Sequence, residues 1–344
     1  MDTGLIYEEA LRLWRATKAG DLAAASWTGD GAPGQEGLLL LGDNLALMAA
    51  LAQQAELAMR AALAQQAGLA MQAEEAKQAD GGGVKLFNLI YMDPPYFTNR
   101  DRESNVRVRT PAGETLVKAP AFSDTWKAAK AAGGVREDPM EAYLAMLTPR
   151  LVAARELLAE DGSLWLHLDR RAVHYAKVMA DVVFGGGDHL VNEVVWSYKS
   201  GGSSSRRFAN KHDTLLFYAK AKRKYKFFPQ DEKSYNRALK PYRFKGVKEY
   251  RDDYGWYTVV HMKDVWDIPM VGRTAAERTG YATQKPEALV ERIVLSCTEK
   301  GDSCLDPFGG SGTLAAVCAK HGRRWASIDE NPMAVEIAAK RLGL

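Results

Sequence analysis

Cysteine is scarce in this chain. Only Cys297, Cys304 and Cys318 occur in 344 residues. They are odd in number and show no C-x-x-C spacing, so neither a disulfide framework nor a zinc site is expected, and no other metal site suggests itself. They read as reduced thiols in or near a core, which suits a cytoplasmic protein. No apolar run reaches the roughly 20 residues that cross a bilayer, so no membrane contact is expected. The start, Met1-Asp2-Thr3, lacks the basic and apolar regions of a signal peptide. G-K-[ST] is also missing, which excludes a phosphate loop of the nucleotide-triphosphatase kind.

What is present is an ordinary globular composition with an uneven charge. The apolar fraction is 47% and the charged fraction 26%, and the length suits one large α/β domain with an insert, or two domains. Net charge is only +3, yet Lys199–Tyr250 holds fifteen Lys/Arg against four Asp/Glu, a local +11 on a body of −8. Aromatics interleave with that block: Phe208, Tyr225, Phe227, Phe228, Tyr242 and Phe244. Basic side chains contact phosphates and aromatics stack on bases, so the block suits a polyanion; the competing reading is a solvated lysine-rich face.

Taken in order, residues 6–25 have helical spacing, and a Gly/Pro loop separates them from Leu38–Leu41, a short buried strand. Asp43 or Asn44 then caps a helix. Ala49–Met59 (AALAQQAELAM) is repeated at Ala61–Met71 (AALAQQAGLAM), which reads as an expanded helical insert of neutral effect, ending in Gly81-Gly82-Gly83. Val84–Met92 is an apolar run of buried-strand character, stopped by Pro94 and Pro95, which have no N–H for a ladder. The strand thus ends in Asp93-Pro94-Pro95-Tyr96, where open α/β sheets place ligands. The bland alternative is a strand followed by a Pro-rich turn.

Residues 97–138 read as a long mobile loop carrying Arg100, Arg102, Arg107 and Arg109. A helix up to Asp161, a strand Ser163–Leu168, a helix Arg170–Phe184 and a strand Asn192–Tyr198 follow, a rhythm that predicts a parallel sheet covered on both faces. Residues 200–282 break the rhythm and read as an inserted module.

Near the C-terminus, Cys304-Leu305-Asp306-Pro307-Phe308-Gly309-Gly310-Ser311-Gly312-Thr313 joins a strand to a helix, and the next strand ends at Asp329-Glu330. Glycines permit φ > 0 and close approach of a ligand to the backbone. Asp329 is placed to accept from ribose hydroxyls, whereas Asp306 would repel a pyrophosphate and suits a cation. S-adenosylmethionine has the ribose, the ammonium and the sulfonium that fit. Phe308 could pack on its adenosine or be a core ring.

With both motifs in view, the chain resembles the DNA amino-methyltransferases that use S-adenosylmethionine. The motif order, D-P-P-Y first, basic insert next and glycine-rich motif last, resembles their permuted β class of adenine-N6 and some cytosine-N4 enzymes. The resemblance covers about Leu38–Leu342. It implies a doubly wound, mostly parallel Rossmann-like α/β sheet with an inserted target-recognition module. The divisions would be a helical arm at 1–37, a catalytic half at 38–199 (insert 49–83, mobile loop 97–138), recognition at 200–282 and a cofactor half at 283–344. It also implies site roles. Asp93, Pro94, Pro95 and Tyr96 are catalytic. Asp43, Gln284, Lys285, Pro286, Asp306, Phe308, Gly310, Gly312, Thr313 and Asp329 hold the cofactor. Arg100, Arg102, Lys199, Arg206, Arg207 and Lys211 touch DNA. Ser327 departs from the pattern, since the family often has glycine there, and the Ala/Gln duplication is not a family feature. The resemblance further implies base flipping and DNA as partner; a homodimer and a cognate restriction endonuclease are compatible with it, but neither is readable in the sequence. No Pro-Cys nucleophile is present, which disfavours ring-carbon methylation. Cytosine-N4, RNA or protein-amide methylation, or a DNA-binding subunit without turnover, are the alternatives.

Overall fold

The computed structural model describes residues 2–17, 37–53, 87–110, 113–126, 129–131, 134–136, 138–199 and 202–344. The strand leading to Asp93, β2 (Phe87–Met92), shows how the sequence sets the layers. From Leu89 onward its side chains alternate strictly: Leu89 and Tyr91 enter one core, Ile90 and Met92 the other. Both faces are therefore buried, as an all-apolar parallel strand requires.

β2 lies inside an eight-stranded sheet. Across it run β1 (Gly37–Leu41), β15 (Arg324–Asp329), β14 (Ser303–Asp306), β2, β7 (Leu158–Leu168), β9 (His212–Ala219), β8 (Leu190–Ser197) and β13 (Val265–Asp267). The first five are mutually parallel, β9 is antiparallel to both its neighbours, and β13 is parallel to β8. On one face sit α1 (Thr3–Ala16), a helix α2 over 44–53, α3 (Pro139–Leu157) and α4 (Val173–Phe184). The other face is covered by α5 (Glu287–Cys297) and α6 (Thr313–His321). A last helix, α7 (Pro332–Leu342), starts where Asn331 caps it by accepting from Met333 N. All three cysteines are buried, and burial pushes the Cys297 thiol up to about 12, so it stays protonated and inert.

Parallel pairing decides where the site lies. Leu305 is level with Ile90, and Asp306 with Ser327. The carboxyl ends of β1, β15, β14 and β2 therefore share one edge, and Asp43, Asp329, Asp306 and Asp93 all sit at or just past it.

Several expectations change. The first helix ends at Ala16, and most of the Ala/Gln duplication falls outside the described residues. α3 stops at Leu157, with Leu158–Asp161 already extended. Residues 97–138 are not one structureless loop: β3 (Arg102–Thr110) pairs with β4 (Gly113–Phe122), and β5 (Ala129–Ala131) with β6 (Gly134–Arg136). Nor is 200–282 wholly a separate module. β9 is a buried strand of the main sheet and β13 an edge strand of it, because the run Thr214–Ala219 is apolar enough to enter both cores. The separate part is a three-stranded sheet of β10 (Asp231–Tyr235), β12 (Trp256–His261) and β11 (Glu249–Arg251), with Tyr250 stacked on Tyr257. Part of the basic block is spent internally: Lys226 pairs with Asp302, Lys222 with Asp188 and Lys233 with Asp252.

Candidate active site

Asp93 follows β2 directly, and Pro94-Pro95 turns the chain away from the ladder. Its Oδ1 accepts from the Tyr96 hydroxyl at 2.6 Å and its Oδ2 from Lys285 Nζ. Lys285 also lies 5.0 Å over the Tyr96 ring. Beneath them is His167, fully buried. Its Nδ1 is 2.8 Å from the Tyr91 hydroxyl and 3.9 Å from Asp93 Oδ1, and its Nε2 is 3.6 Å from Asp213 Oδ2. Burial raises the Asp213 carboxyl, but contact with His167 and the charge of Lys285 outweigh it and hold Asp213 below the usual range.

The loop after Tyr96 is held by one buried carboxylate. Asp124 accepts from Phe97 N at 2.9 Å, Thr98 N at 2.7 Å, Thr98 Oγ1 at 2.6 Å and Trp126 Nε1 at 2.8 Å. Those bonds maintain φ of 58° at Phe97 and 54° at Asn99, which non-glycine residues rarely adopt. Tyr96 is thereby fixed in place from its carboxyl side.

Across the pocket, the turn after β14 is built on Asp329. Gly310 N donates to its Oδ2 and Asn331 N to its Oδ1, both at 2.8 Å. Gly310 (φ 50°) and Gly312 (φ 72°) take left-handed conformations, and Gly309 lies against Ser327 so closely that a Cβ there would overlap its hydroxyl. Burial lifts the Asp306 carboxyl well above its ordinary value. A hydrogen bond from Phe308 N opposes this, while the charges of Asp93 and Asp329 add to it. Asp329 is raised too, chiefly by burial.

These groups line one open cavity enclosing about 1260 Å3 of atom-free space, its mouth included. Asp93, Pro94, Pro95, Tyr96, Gln284, Lys285, Asp306, Phe308, Gly310, Thr313 and Asp329 all line it. Arg102, expected at a phosphate, is in its wall as well. Asp43 is not; it caps α2 through Ala46 N and pairs with Arg150 at 3.0 Å, while its neighbour Asn44 lines the cavity. Pro286 and Gly312 stand behind the lining, at the starts of α5 and α6. Gln284 is committed to its own loop, accepting from Thr279 and donating to Glu277 O. Phe308 is both a wall residue and partly packed on the core. Arg100, Lys199, Arg206 and Arg207 are exposed and Lys211 is half-buried. Sequence reasoning missed Arg150, Tyr281, Asp124 and His167; only Asp124, in Phe122-Ser123-Asp124-Thr125-Trp126, carried a local signal.

The lining tests what the pocket can hold. Two buried carboxylates with raised proton affinity, with Asp93 and Glu330 nearby, are stabilised by a cation and would repel phosphate. A ligand with a positive centre and hydroxyls for Asp329 fits; a dinucleotide pyrophosphate does not.

Comparison with known proteins agrees. The DNA methylase family model (N6_N4_Mtase) matches residues 87–340. The chain belongs to this family. Among its relatives, the type II methyltransferase M2.DpnII of Streptococcus pneumoniae is 30% identical over 191 residues, covering 55% of this chain and 63% of that protein. DNA adenine methyltransferase YhdJ of Escherichia coli K12 is 26% identical over 264 residues, 74% of this chain and 76% of the relative. The solved structure of the cytosine-N4-specific PvuII DNA methyltransferase shares the fold, with TM-score 0.52, 14% identity and coverage of 90% and 88% of the two chains. The family model spans both the Asp93 and the Asp306 motifs of this chain.

Proposed function

We propose that this chain transfers a methyl group from S-adenosylmethionine to the exocyclic N6 of an adenine extruded from duplex DNA. One observation carries the reading: Asp93 and Asp306, 213 residues apart in sequence, stand at the ends of adjacent parallel strands and line one cavity. The YhdJ relative is a DNA adenine methyltransferase, which supports adenine as the target base. The motif order supports the permuted β class.

When bound, the cofactor supplies an electrophilic methyl on a positive sulfur. Asp306 and Asp329 would hold its cationic and hydroxyl groups, Phe308 its flat or charged face, and Gly309–Gly310 let it approach the backbone. Asp93 would accept one amino hydrogen of the target base and the Pro94 carbonyl the other. An amino nitrogen with two such acceptors becomes pyramidal and turns its lone pair to the methyl. The attraction grows as positive charge develops on nitrogen, which is differential stabilisation of the transition state. Tyr96, bonded to Asp93 and supported through the Asp124 loop, would stack on the base and hold it in line. The base must leave the duplex first, because its amino group is unreachable in the stack. The exposed bases Arg206 and Arg207 would neutralise phosphates. A homodimer and a cognate endonuclease are part of the same proposal, by analogy with restriction–modification systems.

The test is modified-base sequencing of DNA from a methylation-deficient host expressing the chain. N6-methyladenine in one sequence context is expected; unmodified adenine throughout would overturn the reading.

A further inference from the structure

We propose that Phe208 enters the DNA duplex and fills the stack when the target base leaves it. The proposal rests on the methylation reading and adds to it the side chain that opens the helix. Phe208 is 98% exposed, on the loop 198–211 between β8 and β9. Phe208 is the most exposed large apolar side chain among the described residues, and a ring left in water is stabilised when it enters an apolar slot of a partner.

The loop is aimed at the right edge. β8 and β7 are both antiparallel to β9, so β8 runs in the direction of β2, and its carboxyl end shares the edge with Asp93. The stem is closed by Tyr198 N donating to Lys211 O at 2.9 Å. It rests on the catalytic centre, since the Tyr198 hydroxyl donates to Asp213 at 3.1 Å, and Asp213 reaches Asp93 through His167. Arg206 and Arg207 precede the ring, and no Asp or Glu occurs from 198 to 211. A flat apolar ring beside two guanidinium groups matches a vacated base step with phosphates beside it.

The experiment compares Phe208→Ala and Phe208→Trp with the unaltered chain on two duplexes of the methylated context: one fully paired, one with an abasic site opposite the target. A base without a partner needs little help to leave. Phe208→Ala is expected to lower kcat/KM on the paired duplex by about 10- to 100-fold, the range of a lost stacking contact. On the abasic duplex the loss should be under about threefold, because there the unpairing is already done. Phe208→Trp should restore the paired reaction, and S-adenosylmethionine binding by calorimetry should be unchanged in both variants. An equal loss on both duplexes, or none on the paired one, overturns the proposal. If the unaltered chain methylates neither duplex, the methylation reading itself is at fault.

Discussion

Lys285 Nζ sits on Asp93 Oδ2, an ion pair between residues 192 apart whose side chains are only 9% and 17% exposed. This pair joins the two halves of the cavity, since Lys285 precedes α5 and Asp93 ends β2. Removing either partner strands a poorly solvated charge, at a cost of about 3 kcal/mol. Lys285→Met and Asp93→Ala should each lower the denaturation midpoint, while the double variant loses less than the sum, with a coupling of roughly 1–3 kcal/mol. Additive losses would show that the pair contributes nothing.

Asp93→Ala separates binding from chemistry. Asp93 follows β2 and would meet the target amino group, whereas the turn built on Asp329 would hold the cofactor. S-adenosylmethionine affinity by calorimetry should stay within about threefold, and methyl transfer should fall on the order of 10³-fold, as when a hydrogen-bonding group aimed at a transition state is removed. Normal turnover would remove Asp93 from the mechanism.

Asp306 makes stability depend on pH in a stated direction. Burial raises its pKa above that of an unfolded chain, so the folded state holds the proton more tightly. Its contribution is complete below the ordinary carboxylate range and is lost as pH rises through the folded value. Asp306→Asn, which keeps an acceptor for Phe308 N, should melt higher than the unaltered chain at pH 8. The difference should vanish near about pH 4, where the unfolded carboxyl is half protonated. The same variant should lose cofactor affinity. A gap that widens on acidification would contradict the sign.

Gly309 and Ser327 form a packing pair. Because a Cβ at Gly309 would overlap Ser327 Oγ, Gly309→Ala should cost about 1–3 kcal/mol and weaken cofactor binding. Adding Ser327→Gly makes room and should restore most of both, read by thermal melts and calorimetry. A double variant as weak as the single one would show that the clash is not the cause.

Asp124 tests the support of Tyr96. Asp124→Ala frees two backbone N–H groups held against left-handed φ at Phe97 and Asn99. Proteolysis between residues 97 and 126 should accelerate and kcat should fall about tenfold or more, with cofactor affinity unchanged. Unaltered cleavage and turnover would remove Asp124 from the positioning of the ring.

The strands and turns that carry chemistry were legible because their signals are local. A proline pair ends β2, glycines open α6, and short continuous apolar runs mark the buried strands. Elements defined by distant partners were not. The β9 run, Thr214–Ala219, looked like part of a basic insert because lysines flank it, and only its pairing with β7 and β8 places it in the sheet. The β3–β4 hairpin lies in a stretch dense in polar residues, and only its strand pairing reveals it. The capping role of Asp43 is legible from its place before the helix, but its pairing with Arg150, 107 residues on, is not, since no spacing rule links the two. His167 lies in a strand that reads as apolar; its role near Asp93 comes from β2 lying beside β7.

The central claim is that one cavity joins a methyl donor to a base amino group. Its most direct measurement is nucleoside analysis by mass spectrometry, after the purified chain is incubated with methyl-labelled S-adenosylmethionine and unmethylated duplex DNA. The account predicts label in N6-methyladenine, and none when Asp93→Ala replaces the unaltered protein. Label on a ring carbon, or equal label with the variant, would contradict it.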